Sequence, residues 1–183
     1  MALKDRTKRL FADTIIELMR TKSLREVRVK DICEMCGADR HTFYYHFRDK
    51  YELVAWIYAS GAEESMGGRG GFMGVTQSAA ALDRIRQHKH FFRKAFEDNS
   101  QNALWQYIVQ YNIALYSDML KRHYGLETLP KEVDFSLRYH CHGCLGLSYE
   151  WLMNDFPISA EELAMEMTMV MPEMLKKMVV EGT

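Results

Sequence analysis

The stretch that decides the fold is GADRHTFYYHFRDKYEL, residues 37–53. These seventeen residues contain five aromatic rings, two histidines and three cationic side chains. Gly37 can end one helix in the left-handed conformation, and Asp39 can cap the next. Phe43 and Phe47 are four residues apart and would share the inward face of that second helix. The stretch therefore predicts a tight turn and a short helix whose other rings and cations face outward.

Apolar side chains also recur at helical spacing in the residues before this stretch. A first stripe, before it, consists of Phe11, Ile15, Leu18 and Met19. A second stripe consists of Val29, Ile32, Cys33 and Cys36. Asp49 and Glu52 form a D-x-x-E capping box that opens a further helix through residues 53–57. With three prolines in the chain and no alternating β pattern, the sequence predicts an all-α protein.

Two short helices joined at a glycine form a helix-turn-helix unit, whose second helix enters the major groove of DNA. The side chains left outward on that second helix are Arg40, His41, Thr42, Tyr45 and His46. They can bond base edges or phosphate oxygens. Arg28 and Lys30 begin the preceding helix. Lys50 lies in the first turn of the fourth helix. A cation is unfavourable at that end of the helix dipole, and a phosphate bound at the same end would offset its charge.

Charge is distributed unevenly along a chain whose net charge is −1. Residues 1–53 hold 12 Lys and Arg against 9 Asp and Glu, whereas residues 54–183 hold 12 against 16. The excess is small enough to arise by chance. If the chain does bind a polyanion, this asymmetry favours the N-terminal third as the contact.

The segment VRVKDICEMCGADRHTFYYHFRDKYEL, residues 27–53, resembles the DNA-binding segment of the TetR/AcrR family of bacterial transcriptional regulators. The matching positions are Val29, Ile32, Gly37, Thr42, Phe43, Tyr44, His46, Phe47, Lys50 and Leu53. The chain departs from the family pattern at Cys33 and Cys36, where small residues such as alanine are usual, and at His41.

The resemblance implies an N-terminal three-helix DNA-binding head followed by a helical-bundle body for ligand binding and dimerisation. It implies phosphate contacts from Lys30, Thr42, Tyr44, His46 and Lys50. It implies base-edge contacts from Arg40, His41 and Tyr45, with Arg28 as a further contact to the DNA backbone. The implied partners are a double-stranded DNA operator, a second copy of the chain and a small-molecule inducer.

The chain is therefore expected to divide into three segments. Residues 1–48 form the expected helix-turn-helix domain, and residues 75–183 form the expected C-terminal domain for ligand binding and dimerisation. Residues 49–74 form a connecting helix and a linker with glycine at 61, 67, 68, 70, 71 and 74. Neither a G-x-x-x-x-G-K-[ST] motif nor a strand-to-helix context accompanies these glycines, so a flexible connection is favoured over a phosphate loop.

The C-terminal segment carries aromatic side chains at helical spacing. Such rings are commonly plain core, but in this family the C-terminal helices enclose an inducer pocket, which rings with polar tips would suit. The candidate lining residues are Trp105, Tyr107, Tyr111, His140 and Tyr149.

Residues 130–180 resemble the final helix pair of the family. A Ser159–Glu162 capping box opens the last helix, which is expected to run on through Val170 and Met174. The candidate residues for a two-fold dimer interface are Gly143, Gly146, Trp151, Leu163, Met167 and Met174. The alternative is that these apolar residues are buried within one chain rather than between two copies.

Other function classes have weaker support in the sequence. The C-x-x-C pairs Cys33/Cys36 and Cys141/Cys144 are more than 100 residues apart, unlike zinc-ribbon knuckles, so no metal or other cofactor is expected. No hydrolase, metalloprotease or dinucleotide fingerprint is present, so no enzymatic activity is expected. No apolar run of about eighteen residues and no leader pattern occur, which favours a cytoplasmic protein without a membrane span.

The sequence thus predicts a homodimeric transcriptional regulator, a repressor released from a palindromic operator by an inducer. Two alternatives within or near the fold stay open. One is a co-regulator that acts through a protein partner without its own inducer. The other is a helical sensor that responds to a metal ion or to oxidation of its thiols. Such a sensor could also lack specific DNA binding.

Overall fold

The computed structural model describes residues 3–65, 74–98 and 104–181. Within these ranges the secondary structure is helical and contains no strand. The helices are α1 (Leu3–Leu18), α2 (Val29–Cys36), α3 (Arg40–His46), α4 (Lys50–Ser65), α5 (Val75–Gln87), α6 (Lys89–Phe96), α7 (Leu104–Tyr124), α8 (Lys131–Met153), α9 (Ala160–Met169) and α10 (Glu173–Glu181). The predicted all-α fold is confirmed.

The chain divides into two compact units. The first unit comprises residues 1–58 and 88–104, and the second comprises residues 59–87 and 105–183. Helix α6 therefore belongs to the first unit, although the predicted boundaries placed it in the C-terminal domain. Periodicity along the chain cannot show this, because a helix that returns to an earlier unit has the same pattern as one that does not.

The core of the first unit is built from the predicted stripes. Phe11 and Ile15 of α1 are fully buried, as are Met19 directly after it and Ile32 of α2. Gly37 ends α2 with φ 69°, and its amide donates to the Cys33 carbonyl. This is the left-handed helix end that glycine adopts without a steric penalty.

Two apolar clusters lie among the described residues of the second unit. One joins α7, α8 and the segment leading into α10 through Leu120, Leu137, Met171 and Leu175. The Tyr124 hydroxyl donates to the Met174 carbonyl at 3.1 Å across the same cluster. The other cluster joins α5, α8 and α9 and consists of Leu82, Trp151, Ala160, Leu163, Ala164 and Met167.

The connection between α8 and α9 contains two successive non-glycine residues with positive φ, Asp155 (61°) and Phe156 (65°). Three contacts hold it. The Phe156 amide donates to the Trp151 carbonyl at 2.9 Å, and the two rings meet edge to face at 4.6 Å. The Trp151 indole N–H donates to the Ile158 carbonyl at 2.8 Å.

The predicted last helix is in fact two helices. Ser159 caps α9 and forms the expected box with Glu162, but α9 ends at Met169 and α10 begins at Glu173. Pro172 lies at the break, since proline has no amide proton and clashes with the preceding helical turn. Val170, expected on the apolar stripe, is 72% exposed at this break.

The predicted glycine-rich linker is only partly covered. Residues 66–73, with Gly67, Gly68, Gly70 and Gly71, lie outside the described residues. Gly61 belongs to α4 and is buried, not part of a flexible connection. A Cβ atom at this position would lie 2.4 Å from the Arg84 Nε atom, so the absent side chain makes room for the arginine. Among the described helices, none is both long and apolar enough to cross a membrane.

Candidate nucleic-acid interface

Helix α3 has a buried side and an exposed side. Phe43 is fully buried, and Phe47 directly after the helix is 2% exposed. Their rings lie 5.2 Å and 6.5 Å from the Phe11 ring and 5.8 Å from each other. On the other side, the Tyr44 and Tyr45 side chains are 56% and 64% exposed. The predicted division of the rings between core and surface is therefore present in the structure.

The outer side of α3 carries the predicted DNA contacts. Arg40, His41, Tyr44 and Tyr45 are exposed. His46 is half-buried, with its ring 5.0 Å from that of Tyr45. The exposed residues present two aromatic rings and hydrogen-bonding groups together, the combination that suits phosphate and base-edge contacts.

The first turn of α3 is fixed by Asp39. Its carboxylate accepts a hydrogen bond from the Thr42 amide at 2.6 Å. This bond is the main reason that the pKa of Asp39 lies below its ordinary value, and a further bond from the Thr42 side chain acts in the same direction. Thr42 is thus held at the start of the helix, half-buried.

The cations at the start of α2 are paired with carboxylates at the surface. The Arg28 guanidinium lies 3.2 Å from Asp31 Oδ1, and the Lys30 ammonium lies 3.3 Å from Glu34 Oε1. A hydrogen bond from the Arg28 side chain, and a smaller contribution from the Arg28 backbone amide, lower the pKa of Asp31 to about 2. Both members of the Lys30–Glu34 pair are exposed, and such pairs contribute about 0–1 kcal/mol, so Lys30 can turn to a phosphate at little cost. The Asp31 side chain is only 11% exposed, so the Arg28–Asp31 pair is not of this kind.

A cavity of about 460 Å³ opens beside these residues. Its lining consists of Arg25, Val27, Arg28, Val29, Lys30, Arg40, Tyr44, Asp49, Lys50 and Tyr51. Five of these side chains are cationic and one is a carboxylate, which makes the cavity suited to a polyanion. It brings together five of the nine predicted contacts, namely Arg28, Lys30, Arg40, Tyr44 and Lys50.

Arg25 and Tyr51 line this cavity but were not predicted. Arg25 precedes α2 in a non-helical segment, where no periodicity indicates its direction. Tyr51 follows Lys50, whose ammonium group lies 5.3 Å from the centre of the tyrosine ring. The adjacent positions of the two residues in the first turn of α4 were the available signal for Tyr51.

Lys50 differs from Arg28 and Lys30 because its ammonium group is bound to three backbone carbonyls rather than to a carboxylate. Its Nζ atom donates to the carbonyls of Leu24 (2.6 Å), Arg25 (3.1 Å) and Val27 (2.7 Å). These bonds use all three of its N–H groups. Partial burial lowers the pKa of Lys50, and the charge of Asp98 opposes this shift. A phosphate contact from Lys50 would have to replace one of the three bonds.

The candidate inducer residues lie in the second unit and form separate contacts. The Tyr107 and Tyr111 rings stack at 6.0 Å, and the Trp105 ring meets that of Tyr149 edge to face at 5.7 Å. His140 is buried on α8, where its ring lies 3.5 Å from the Cys144 Sγ atom. Burial lowers the pKa of His140.

The candidate dimer residues fall into two groups. Trp151, Leu163 and Met167 are buried in one apolar cluster of their own unit, and Met174 packs against the other. Three of these four side chains are thus buried within the chain, and Met174 is half-buried. Gly143 and Gly146 of α8 have open space where a Cβ atom would be.

The four cysteines are free. Burial raises the pKa of Cys141 to about 12 and that of Cys144 to about 11. It also raises the pKa of Cys33. These three thiols stay protonated at neutral pH and are weak nucleophiles. Among the residues with described side chains, no group of three His, Cys, Asp or Glu could hold a metal ion.

Comparisons with known proteins agree with this geometry. A family model described as "Bacterial regulatory proteins, tetR family" matches residues 11–57. A second, described as "Transcriptional regulator C-terminal region" of the TetR type, matches residues 77–173, more than half of the chain.

A match to an individual protein covers only part of the chain. The HTH-type dhaKLM operon transcriptional activator DhaS of Lactococcus lactis subsp. lactis (strain IL1403) is 25% identical over 91 residues. The match spans 49% of this chain and 49% of that relative, about half the length of each.

Two solved structures share the fold. The dihydroxyacetone kinase operon activator DhaS superposes with a TM-score of 0.65 at 17% identity, over 95% of this chain and 97% of that one. A TetR transcriptional regulator from Streptococcus agalactiae 2603V gives 0.61 at 16% identity, over 92% and 96%. With both family models matched and the helix-turn-helix in place, the chain belongs to the TetR family of bacterial transcriptional regulators.

Proposed function

We propose that this regulator binds a palindromic operator as a homodimer and represses transcription until a small molecule releases it. The observation that carries DNA binding is the exposed side of α3, where Arg40, Tyr44 and Tyr45 stand beside the cationic cavity. Family members of this kind are DNA-binding proteins rather than enzymes.

Two classes of DNA contact are proposed on this surface. Lys30, Thr42, Tyr44, His46 and Lys50 would bond phosphates, with Arg28 as a further backbone contact. Arg40, His41 and Tyr45 would contact base edges. A base contact specifies sequence and a phosphate contact only positions the protein, so the two classes give different mutant behaviour.

The test uses Arg40→Ala and Tyr45→Ala in the full chain, with Arg122→Ala as a control. Arg122 is an exposed arginine of α7 in the second unit, so its removal changes the net charge as Arg40→Ala does. Binding to the promoter regions beside its own gene is measured by gel shift at several salt concentrations. We expect each interface variant to weaken binding to the selected site by about 1–3 kcal/mol and the control to leave it unchanged. Salt-independent or non-selective binding by the wild type would contradict the proposal.

Dimerisation follows from the size of a single helix-turn-helix footprint. One α3 helix contacts too few base pairs for a specific operator, and two copies spaced by about 34–36 Å read a palindrome. An exposed apolar stripe on α8 supports this assembly: Phe135 and Tyr139 are 70% and 76% exposed, and Met153 lies further along the same side. Gly146 lies between them at helical spacing, with open space above its Cα atom.

We infer that a second copy covers this α8 stripe, which replaces the interface expected around Trp151 and Leu163. The variant Tyr139→Glu should shift the wild-type dimer to monomer in sedimentation velocity. Met35→Glu, at a methionine of α2 that is 52% exposed, serves as the control for a charge placed on exposed apolar surface. A Tyr139→Glu protein that stays dimeric would exclude this face.

The direction of regulation has a second candidate. The relative from Lactococcus lactis is named a transcriptional activator. Activation of the adjacent operon is therefore the alternative to repression. A reporter fused to the bound promoter, measured with the gene deleted and restored, distinguishes them: deletion raises expression for a repressor and lowers it for an activator.

The proposed inducer would bind among the aromatic residues of α7 and α8. A ligand releases the operator only if it binds the released conformation more tightly. A thermal-shift panel of small apolar and cationic compounds, repeated on Trp105→Ala, tests this. Compounds that raise the melting temperature of the wild type alone support an inducer site. If no compound does so, the co-regulator that acts through a protein partner becomes the better description.

A further inference from the structure

The turn between α1 and α2, residues 19–28, is held by two lysines from distant parts of the chain. Lys50 at the start of α4 donates to the carbonyls of residues 24, 25 and 27. Lys94 of α6 donates to the carbonyls of Arg20 (3.1 Å) and Lys22 (3.3 Å). Five carbonyls of one short turn are thus bound by lysine ammonium groups.

The position of Lys94 has a clear electrostatic reason. The last carbonyls of a helix lack intrahelical partners, and the helix dipole makes that end negative. In α1 the carbonyls of Ile15, Glu17 and Leu18 accept from backbone amides. The carbonyls that Lys94 binds lie two and four residues beyond Leu18, where α1 ends. A cation that donates to these carbonyls forms charge-assisted hydrogen bonds, stronger than those between neutral groups. Lys94 of α6 therefore places a cation on two carbonyls just beyond the negative end of α1.

The same turn leads directly into the DNA-facing surface. Leu24 and Val27 of the turn are buried, 2% and 0% exposed, and fix its inner side. Arg25 and Arg28, on its outer side, line the cationic cavity beside α3. The placement of the turn consequently sets the placement of two cavity arginines and of the first residue of α2.

Helix α6 also influences the second lysine. Asp98, two residues after the end of α6, favours the charged form of the Lys50 ammonium group. Helix α6 belongs to the first unit, while the preceding α5 and the following α7 belong to the second. The chain thus passes from the second unit into the first and back through the helix that carries Lys94.

We propose that Lys94 is a positioning residue for DNA binding, which holds the α1–α2 turn in its binding geometry without itself contacting DNA. Helix α6 thereby controls operator affinity through one hydrogen-bonded ammonium group. This inference rests on the proposed DNA-binding function and adds a residue that neither the helix-turn-helix motif nor the cavity contains.

The experiment compares Lys94→Met with Lys94→Arg and with Lys121→Met in the full chain. Methionine keeps an unbranched side chain but removes the charge and the donors. Arginine keeps both. Lys121→Met removes the same charge from α7 in the second unit, where Lys121 lies 3.8 Å from Asp118. Far-UV circular dichroism establishes that each variant folds.

Two measurements are made. The first is hydrogen exchange of the amides in residues 19–28, which needs no DNA. We expect Lys94→Met to exchange about tenfold faster there, because loss of a hydrogen-bonded partner lowers the local opening free energy. We expect Lys94→Arg to recover much of the protection and Lys121→Met to match the wild type.

The second measurement is operator affinity as a function of salt. We expect Lys94→Met to bind about 3–30-fold more weakly with an unchanged slope of log K against log salt. A direct phosphate contact would instead reduce that slope by about 0.9. Unchanged exchange in the turn, unchanged affinity, or a reduced slope would each overturn the positioning role. If the wild type binds no DNA selectively, the proposed function fails, and the exchange data alone decide whether Lys94 holds the turn.

Discussion

The two sides of α3 should respond differently to substitution, and Phe43→Leu with Tyr45→Ala tests this directly. Leucine at position 43 keeps an apolar side chain but loses the ring contacts with Phe11 and Phe47, at 5.2 Å and 5.8 Å. Such aromatic pairs contribute about 0.5–1.5 kcal/mol each beyond the area they bury. Two of them give a loss of roughly 1–3 kcal/mol in the stability of the first unit.

Tyr45→Ala changes a side chain that is 64% exposed. Substitutions at exposed positions usually alter stability by less than about 0.5 kcal/mol. Its effect should appear in operator affinity instead, where loss of a base-edge contact weakens binding by about 1–3 kcal/mol.

Hydrogen exchange resolved to peptides of α1 and α3 is the suitable assay, because it reports on the first unit whatever the second unit does. A loss of 1–3 kcal/mol corresponds to protection factors that are roughly 5- to 150-fold lower in Phe43→Leu. Tyr45→Ala should stay within about twofold of the wild type. The reasoning is refuted if Tyr45→Ala loses as much protection as Phe43→Leu, since the exposed ring would then be part of the core.

Three further changes test other parts of the structure. Asp39→Ala should destabilise α3 by about 0.5–2 kcal/mol, because the Thr42 amide loses its cap, and Asp39→Asn should keep most of it; exchange at the Thr42 amide measures both. His140 has a folded-state pKa below its ordinary value, so the unfolded chain takes up a proton first and stability should fall as pH drops below about 6.5. Thermal melts at pH 7.5 and 5.5 should therefore differ more for the wild type than for His140→Gln, and equal differences would contradict a buried neutral imidazole. Asp155→Val should lower the melting temperature, whereas Asp155→Gly should not, since a β-branched residue at φ 61° is strained and glycine is not.

Local patterns were sufficient to predict the helix-turn-helix. Phe43 and Phe47 lie four residues apart, Gly37 supplies the left-handed stop and Asp39 supplies the cap, so the relevant forces act within a few residues. The same reasoning predicted that Tyr45 would be exposed, whereas the expected DNA contact of Tyr44 came from the family resemblance.

Long-range contacts were not predictable in this way. The carbonyl partners of Lys50 lie 23–26 residues earlier in the chain, and no spacing rule indicates them. Trp151 of α8 and Leu163 of α9 lie on apolar faces that would look the same whether their cover came from the same chain or from another. Only the packing of α5 against α8 and α9 shows that the cover is internal.

The discontinuous first unit has a consequence for constructing hybrid regulators. Exchange of DNA-binding heads between relatives is most simply done by cutting within the fourth helix, at residue 58, where the first continuous part of the unit ends. In this chain such a cut would leave α6 behind, together with Lys94 and its bonds to the α1–α2 turn. A transplanted head that is meant to keep its own operator affinity should carry residues 88–104 with it, as a second graft in the recipient body.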